Sequence, residues 1–268
     1  MDALAARGIQ HPFDIQERAL PDALRGLDVL VRSPTGSGKT LAFALPIVER
    51  TEPADGRPSA LVLVPTRELA AQVTDELEPL ARARGISVAP AYGGVPLRSQ
   101  ANRIRGAHVL VATPGRLEDL AQRRLVELSG VRTFVLDEAD RMLDMGFIHA
   151  IKRVRALLPA QRQNLMFSAT YSEDIRRLAS NLLRNPLAVE VNPPNKTADK
   201  VEQISYRLPK EHKRHLLAHL IKEGNWHQVL VFTRTKHGAN RLADQLTRAG
   251  IVAAPIHGNK SQNARVRA

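Results

Sequence analysis

The protein has 268 residues, 43% of them apolar and 25% charged, which is typical of a globular protein with one large domain or two ordinary ones. The absence of cysteine excludes disulfides and thiolate metal sites. Because the chain also lacks a membrane-length apolar run and a secretory leader, we expect a cytoplasmic protein with no membrane partner. The net charge of +12 fits either a polyanionic partner or a well-solvated basic surface.

Short apolar runs alternate along the chain with segments, such as 67–85, whose apolar residues recur at three- and four-residue spacing. The runs are rich in Val, Leu and Ile and show no period of two. This pattern predicts an α/β fold with a parallel sheet buried on both faces by helices. The strands predicted in the first part of the chain are 28–34, 60–66, 108–114, 133–139, 164–170 and 188–191.

Residues 192–200 (NPPNKTADK) interrupt the alternation, because two prolines and polar residues without apolar periodicity predict a linker. The alternation then restarts, with strands predicted at 203–209, 228–233 and 252–258 around two helices. The predicted organisation is a first domain at 1–191, a linker at 192–203 and a partial second domain at 204–268.

The sequence SPTGSGKT (33–40) lies between a predicted strand and a predicted helix, where helix-start amides and the helix dipole favour phosphate. Ser33 stands where the strict phosphate-loop pattern has glycine, and it can fill that place at negative φ. The glycines allow close backbone approach, Lys39 reaches the outer phosphates and Thr40 offers a hydroxyl to Mg²⁺. The predicted nucleotide-binding residues here are Thr35, Gly36, Ser37, Gly38, Lys39 and Thr40.

The segment VLDEAD (135–140) is an apolar strand that ends in three acidic residues. An acidic residue at the tip of a parallel strand beside a phosphate loop is placed to hold magnesium. We predict that Asp137 holds the metal with Thr40, and that Glu138 orients or deprotonates the attacking water. Read alone, the same acids could cap the following helix.

Four motifs occur in this order: PTREL at 65–69, TPGR at 113–116, DEAD at 137–140 and SAT at 168–170. Together they resemble the motif set of DEAD-box ATP-dependent RNA helicases of the bacterial type, and the resemblance extends from Gly8 to the end of the chain. It implies a RecA-like P-loop domain followed by an incomplete second RecA-like domain, within which the chain stops. It also implies ATP and Mg²⁺ as cofactors and RNA as the partner.

The segment GIQHPFDIQ (8–16) is similar to the adenine-reading motif of this family, which implies that Gln16 grips the base. A carboxamide can both donate to and accept from adenine. Phe13 stands where threonine is usual, and the family's upstream aromatic would precede Met1, so we expect weaker nucleotide binding than is typical.

The RNA motifs each follow a predicted strand, at the sheet edge where open α/β sheets bind ligands. Backbone amides and arginines there can hold phosphates without reading bases. Each motif alone is also compatible with an ordinary turn or helix cap. By resemblance, the residues that grip RNA are Pro65, Thr66, Arg67, Gly94, Thr113, Pro114, Gly115 and Arg116, with Arg234 and Gly258 in the second domain.

The resemblance further implies that Ser168 and Thr170 couple ATP hydrolysis to unwinding, with Asp140 as their partner. The segments 229–235 and 256–265 resemble the opening motifs of the second RecA-like domain, although Asn259 replaces the common aspartate. The later motifs, which carry two arginine fingers, have no counterpart. We therefore expect this chain to bind ATP and to hydrolyse it slowly.

The predicted function is ATP-dependent separation of short RNA duplexes by local strand bending, with Lys39, Asp137 and Glu138 as the catalytic residues. A DNA helicase on the same scaffold and a non-catalytic, ATP-gated RNA-binding module are the alternatives. The sequence leaves accessory proteins open and specifies neither the RNA substrate nor the oligomeric state.

Overall fold

A computed structural model of the protein describes residues 2–34, 36–54, 58–191 and 202–268. The chain divides into two compact units, 1–196 and 197–268. The strands are β1 (Val29–Arg32), β2 (Ala60–Leu63), β3 (Val88–Ala91), β4 (Val109–Ala112), β5 (Thr133–Leu136), β6 (Gln163–Ser168) and β7 (Leu187–Glu190). The helices are α1 (Asp2–Ala5), α2 (Asp14–Leu24), α3 (Lys39–Arg50), α4 (Arg67–Ala83), α5 (Leu97–Ile104), α6 (Pro114–Gln122), α7 (Ala139–Asp144), α8 (Ile148–Ala156), α9 (Glu173–Leu182), α10 (Lys213–Glu223), α11 (Lys236–Arg248) and α12 (Gln262–Arg267), with a 3₁₀ turn at Lys210–His212.

The seven strands form one sheet in the order β3-β4-β2-β5-β6-β1-β7, and every neighbouring pair is parallel. This confirms the predicted α/β class. Parallel strands need crossover connections, which the helices between them supply. All carboxyl ends of the strands therefore lie at the same edge of the sheet.

Helices cover both faces of the sheet, because alternate residues of each strand enter different cores. In β1, Val29 and Val31 pack into a core with helices α2, α3 and α4, whereas Leu30 faces a second core with helices α5 to α9. The central strands β2, β4, β5 and β6 are buried along their whole length. Burial on both faces explains why these strands show no alternation in the sequence.

Two aromatic rings anchor helix α3 to the sheet. Phe43 of α3 and Phe167 of β6 are fully buried and pack edge to face, with ring centroids 5.3 Å apart and an interplanar angle of 67°. Edge-to-face packing is a favoured geometry for aromatic pairs. Because α3 begins at Lys39, this contact also holds the start of the phosphate loop helix against the sheet.

Strand β3 was not among the predicted strands, and its sequence explains the omission. It contains Pro90, and its residues alternate between buried and partly exposed. Proline cannot donate to a ladder, so within sheets it favours edge strands. The structure has β3 at one edge, paired only with β4.

The three strands predicted in the second unit are wrong. Segments 203–209, 228–233 and 252–258 contain no strand. A strand needs a hydrogen-bonded neighbour, and these segments have none among the described residues. Their apolar side chains are consequently exposed, including Leu230 at 75% and Phe232 at 88%. Most of the predicted linker, 192–201, lies outside the described residues.

Within the described ranges, no helix has both the length and the apolar character needed to cross a membrane.

The burial pattern predicts opposite outcomes for two phenylalanine substitutions. Phe167→Ala should lower the free energy of unfolding by about 3–5 kcal/mol, since it empties a buried site beside Phe43. Phe232→Ala should change it by less than about 0.5 kcal/mol, because the ring is already exposed. Urea unfolding followed by circular dichroism measures both, and fluorescence of Trp226, the only tryptophan, reports the second unit separately. Equal effects of the two substitutions would contradict this burial pattern.

Candidate functional site

The candidate site lies at the carboxyl edge of the sheet, where ladder hydrogen bonds continue into the loops. Ser33 N donates to Ser168 O at 3.0 Å, and Asp137 N donates to Leu63 O at 3.0 Å. Strands β5, β6 and β1 are neighbours, so the segments that follow them emerge side by side. The phosphate loop, the DEAD segment and the SAT segment therefore meet at this edge.

The phosphate loop has the backbone geometry that its glycines permit. Gly36 and Gly38 have φ of 78° and 82°, in the left-handed region that favours glycine. A Cβ on Gly38 would lie 2.5 Å from Phe13 Cδ2 and 2.6 Å from Gln16 Nε2, so the site also lacks space for a side chain. Ser33 is not among the described non-glycine residues with positive φ, as its replacement of glycine requires. Thr35 lies outside the described residues.

Side chains of the loop bond to one another and to the loop backbone. Lys39 is buried, and its Nζ donates to Ser33 O at 3.1 Å. Ser33 Oγ donates to Ser37 Oγ at 2.5 Å, and Ser37 Oγ donates to Pro34 O at 2.8 Å. The role of the Ser33 hydroxyl in this chain of bonds was not anticipated, since the sequence pattern marks Ser33 only as a departure from glycine.

Gln16 connects helix α2 to the phosphate loop. Its side chain is buried, its Nε2 donates to Gly38 O at 2.9 Å and its Oε1 accepts from Phe13 N at 3.0 Å. Both ends of the carboxamide thus have backbone partners. Contact with adenine would require at least one of these bonds to be exchanged, and it stays a prediction.

Asp137 is a buried carboxylate at the tip of β5. Burial raises its pKa from the ordinary 3.8 to about 6, although the positive charge of Lys39 opposes this shift. Its neighbours Glu138 and Asp140 raise the pKa further by repulsion, while the Glu138 N–H, which donates to Oδ1 at 2.9 Å, lowers it. A buried carboxylate whose charge is this poorly compensated is suited to a cation.

The oxygen donors present fit magnesium, which prefers carboxylate, hydroxyl, water and phosphate ligands. Thr40 and Asp137 are the side chains that would hold it. In the described part of the chain, no group of three or more histidine, aspartate or glutamate side chains could hold a metal ion. A site completed by nucleotide phosphates and water needs no such group.

Glu138 has an unusual backbone conformation between β5 and α7. Its φ of 51° and ψ of 50° lie in the left-handed region, which non-glycine residues rarely adopt. Its side chain is only 15% exposed, and Arg141 Nη1 donates to its Oε2 at 3.1 Å. This contact with Arg141 was not predicted, although the spacing of three residues within a helix start permits it.

The structure brings Asp140 together with the SAT segment. Asp140 Oδ2 accepts from Thr170 N at 3.0 Å, while its Oδ1 accepts from Arg141 N at 3.0 Å. Ser168 is fully buried, and its Oγ has no hydrogen-bond partner within the described residues. One carboxylate therefore links the segments that follow β5 and β6.

The predicted RNA residues of the first unit follow β2, β3 and β4, beyond β5 in the sheet order. Thr66 is the N-cap of α4, and its Oγ1 accepts from Leu69 N at 3.2 Å. The Arg67 guanidinium lies against a glycine turn, because a Cβ added at Gly94 would lie 2.3 Å from Arg67 Nη1. Gly94 has a φ of 85°, so both space and conformation require glycine there.

Helix α6 begins in the same region. Thr113 and Pro114 are buried, Gly115 is exposed, and the Thr113 side chain makes no capping hydrogen bond. Arg116 Nη1 donates to Val95 O at 3.0 Å and to Gln100 Oε1 at 2.8 Å. The side chain predicted to grip RNA is therefore bonded to the protein, and Pro65 is buried as well.

Arg234 and Gly258 lie in the second unit, and both are exposed. Near Gly258, Lys236 Nζ donates to Asn259 Oδ1 at 2.9 Å. This contact uses the asparagine that replaces the common aspartate.

Residues 13–178 match the DEAD/DEAH box helicase family. The chain belongs to this family. Over the whole chain it is 38% identical to the ATP-dependent RNA helicase RhlB of Pseudomonas putida, of which it spans 70%. Over 99% of the chain it is 39% identical to the ATP-dependent rRNA helicase RRP3 of Mycosarcoma maydis, of which it spans 48%.

Solved structures of the family are similar to the protein in fold. S. cerevisiae Dbp5 bound to RNA and ADP BeF3 gives a TM-score of 0.88 at 31% identity, covering 99% of this chain and 68% of that one. A DEAD box protein from Methanococcus jannaschii gives a TM-score of 0.69 at 34% identity, covering 99% and 72%. The RecA-like fold that the family resemblance implied is confirmed by these family structures.

Because Asp137 has a raised pKa, its contribution to stability should depend on pH. Between about pH 4 and pH 6, the Asp137 carboxyl is protonated in the folded protein but ionised in the unfolded chain. The stability contributed by the protonated carboxyl is therefore present below about pH 4 and is lost as pH rises through about 6. Asp137→Asn removes the charge with little change in shape. Relative to the parent, the variant should gain about 2–3 kcal/mol in unfolding free energy between pH 4 and pH 8.

Urea unfolding of both proteins at several pH values measures this difference. The variant should also lose magnesium-dependent nucleotide binding, which isothermal titration calorimetry detects. A difference between the two proteins that does not change with pH would contradict the buried state of Asp137.

Proposed function

We propose that the protein is an ATP-dependent RNA helicase that binds Mg-ATP and separates short RNA duplexes by local strand bending. The observation that carries this proposal is the strand order. Strands β1, β5 and β6 lead into the phosphate loop, DEAD and SAT segments, respectively, while the neighbouring strands β2, β4 and β3 lead into the PTREL, TPGR and glycine-turn segments. Nucleotide and RNA would thus bind along one edge.

Each nucleotide-side residue has a role that its position supports. Lys39 would exchange its bond to the Ser33 carbonyl for phosphate oxygens, and Gln16 would read adenine. Thr40 and Asp137 would hold magnesium, which screens the phosphate charge when bound. Glu138 would orient or deprotonate the attacking water. To do so, its carboxylate must either contact the water while it is still bonded to Arg141 or break that bond.

On the RNA side, the starts of α4 and α6 supply backbone amides for phosphates. Contacts of this kind carry no base information, so binding independent of sequence is expected. The RNA helicase names of the relatives and the RNA bound in the Dbp5 structure support RNA as the partner. The excess of basic residues supports any polyanion and does not discriminate.

The bond between Asp140 and Thr170 N supports a coupling role for this pair. A change at the nucleotide that moves the DEAD segment would be transmitted through Asp140 to the segment after β6. Because β5 pairs directly with both β6 and β2, movement of the DEAD segment can also reach the RNA-side loops. Such coupling requires that both ligands prefer the same conformation.

We also propose that 1–191 is the first RecA-like domain, that 192–203 is a linker and that 204–268 is part of a second RecA-like domain, in which Arg234 and Gly258 touch RNA phosphates. For this chain, we propose ATP binding with slow hydrolysis. Its sequence contains no counterpart of the arginine fingers, which are worth roughly 10³–10⁵ in rate.

A non-catalytic, ATP-gated RNA-binding module is the second candidate. The ion pair between Glu138 and Arg141 supports this candidate, because it engages the carboxylate that the chemistry would need. The two candidates differ in turnover, since only the helicase requires Glu138 for chemistry.

Two substitutions test the nucleotide roles. Lys39→Ala should abolish Mg-ATP binding in isothermal titration calorimetry, because it removes the buried ammonium that would contact the phosphates. Glu138→Gln should retain binding and lower RNA-stimulated turnover by about 10²–10⁴-fold, the usual loss for a general base. If Glu138→Gln changes neither turnover nor RNA binding, the catalytic role is wrong and the module remains. A parent chain that takes up no nucleotide would remove both candidates.

Competition between nucleic acids tests the substrate class. Unlabelled single-stranded RNA should displace a fluorescent RNA at least roughly tenfold better than DNA of the same sequence, because the 2′-hydroxyl distinguishes the two. Fluorescence anisotropy in the presence of Mg-ATP measures the displacement. Two RNAs of different sequence serve as the control and should compete equally. Equal displacement by DNA would favour a DNA helicase instead.

A further inference from the structure

We propose that Gln100 is a positioning residue for RNA, which acts by holding Arg116 and the glycine turn in place. The inference rests on the proposed RNA-binding function and assigns different roles to the two arginines of the PTREL and TPGR motifs. In this assignment Arg67 contacts phosphate, while Arg116 serves as a brace inside the protein.

Gln100 lies in α5 and is only 3% exposed. Its Nε2 donates to Tyr92 O at 3.1 Å, and its Oε1 accepts from Arg116 Nη1 at 2.8 Å. A buried amide with both ends bonded fixes the groups to which it bonds, because leaving either partner unsatisfied is unfavourable.

These bonds hold both ends of the glycine turn. Gln100 bonds to the carbonyl of Tyr92, before the two glycines, and Arg116 bonds to the carbonyl of Val95, after them, at 3.0 Å. The turn between these points carries Gly94 in the left-handed conformation. Gln100 and Arg116 together therefore determine where the amides of the turn point.

Arg67 packs on the glycine turn that Gln100 and Arg116 hold. A Cβ on Gly93 would lie 3.1 Å from Arg67 Nη2, and one on Gly94 would lie 2.3 Å from Nη1, so the guanidinium lies directly on the two glycines. The Arg67 side chain makes no hydrogen bond or ion pair with another described residue. Its donors are available to phosphate, whereas Nη1 of Arg116 donates both of its hydrogens within the protein.

The salt dependence of RNA binding separates the two roles. Arg67→Met and Arg116→Met each remove one positive charge, but only loss of a phosphate contact reduces the slope of log affinity against log salt, by about 0.7 for a single strand. We expect that reduction for Arg67→Met and no change of slope for Arg116→Met. Fluorescence anisotropy with a single-stranded RNA over a series of salt concentrations measures both.

Gln100→Met removes the hydrogen bonds to Tyr92 and Arg116 without a change of charge. It should weaken RNA binding roughly tenfold, as loss of a buried hydrogen bond does, with unchanged slope and unchanged Mg-ATP affinity. The double variant Gln100→Met/Arg116→Met should bind no more weakly than the weaker single variant, because both substitutions break the same connection.

Two further variants control for general disruption of the fold. Gln100→Glu keeps an acceptor for Arg116 and loses the donor to Tyr92, so its RNA affinity should lie between those of the parent and Gln100→Met. Gln122→Met makes the same replacement at an exposed position of α6 and should leave RNA binding unchanged.

Three results would overturn the brace: an unchanged RNA affinity in Gln100→Met, additive losses in the double variant, or a slope for Arg116→Met reduced as much as that for Arg67→Met. If the parent chain itself binds no RNA, the proposed function fails together with this inference. A parent chain that binds RNA while Gln100→Met behaves identically overturns the brace alone.

Discussion

Parallel pairing of the strands is the constraint on which the site depends. Because every pair in the sheet is parallel, the motif segments that follow its strands leave at one edge, and ladder bonds continue into them, as in the bond from Ser33 N to Ser168 O. Thr113 N likewise bonds to Ala91 O beyond β4. The loops that carry function are thus extensions of a rigid ladder. Their starting points cannot shift without loss of sheet hydrogen bonds.

The same architecture places charged groups where the sheet excludes water. Lys39 and Asp137 are both buried, and for Asp137 the effect of desolvation exceeds the attraction of Lys39, since its pKa rises. A cation at this position would offset that repulsion and desolvation. The site is therefore less stable without its ligands than a neutral one would be, as is common where binding or catalysis needs a buried charge.

Much of this fold is predictable from sequence because the strands of the first unit are continuous apolar runs, a local signal. Strand β3 carries a weaker signal, since Pro90 and its half-exposed residues suit an edge. In the second unit the same apolar signal misled, because 228–233 has the composition of a buried strand but pairs with no neighbour in the part of the chain that the structure describes. The composition of a segment indicates whether its side chains could be buried in a sheet. Whether it forms a strand also depends on pairing with a segment that is distant in sequence. The motifs likewise identify which residues matter, but not their contacts, such as the bonds of Gln16 to the loop.

Arg67 and Arg116 show why contacts decide roles. Each lies in the first turn of a helix that follows a strand of the sheet, and each closes or nearly closes a proline-containing motif. Position in the sequence therefore suggests one role for both. The difference arises from neighbours: two glycines leave the Arg67 guanidinium on an open turn, while Gln100 and the Val95 carbonyl occupy Nη1 of Arg116. Since a donor already bonded in the interior must break that bond before it can reach a phosphate, the two arginines differ in what they can offer to RNA.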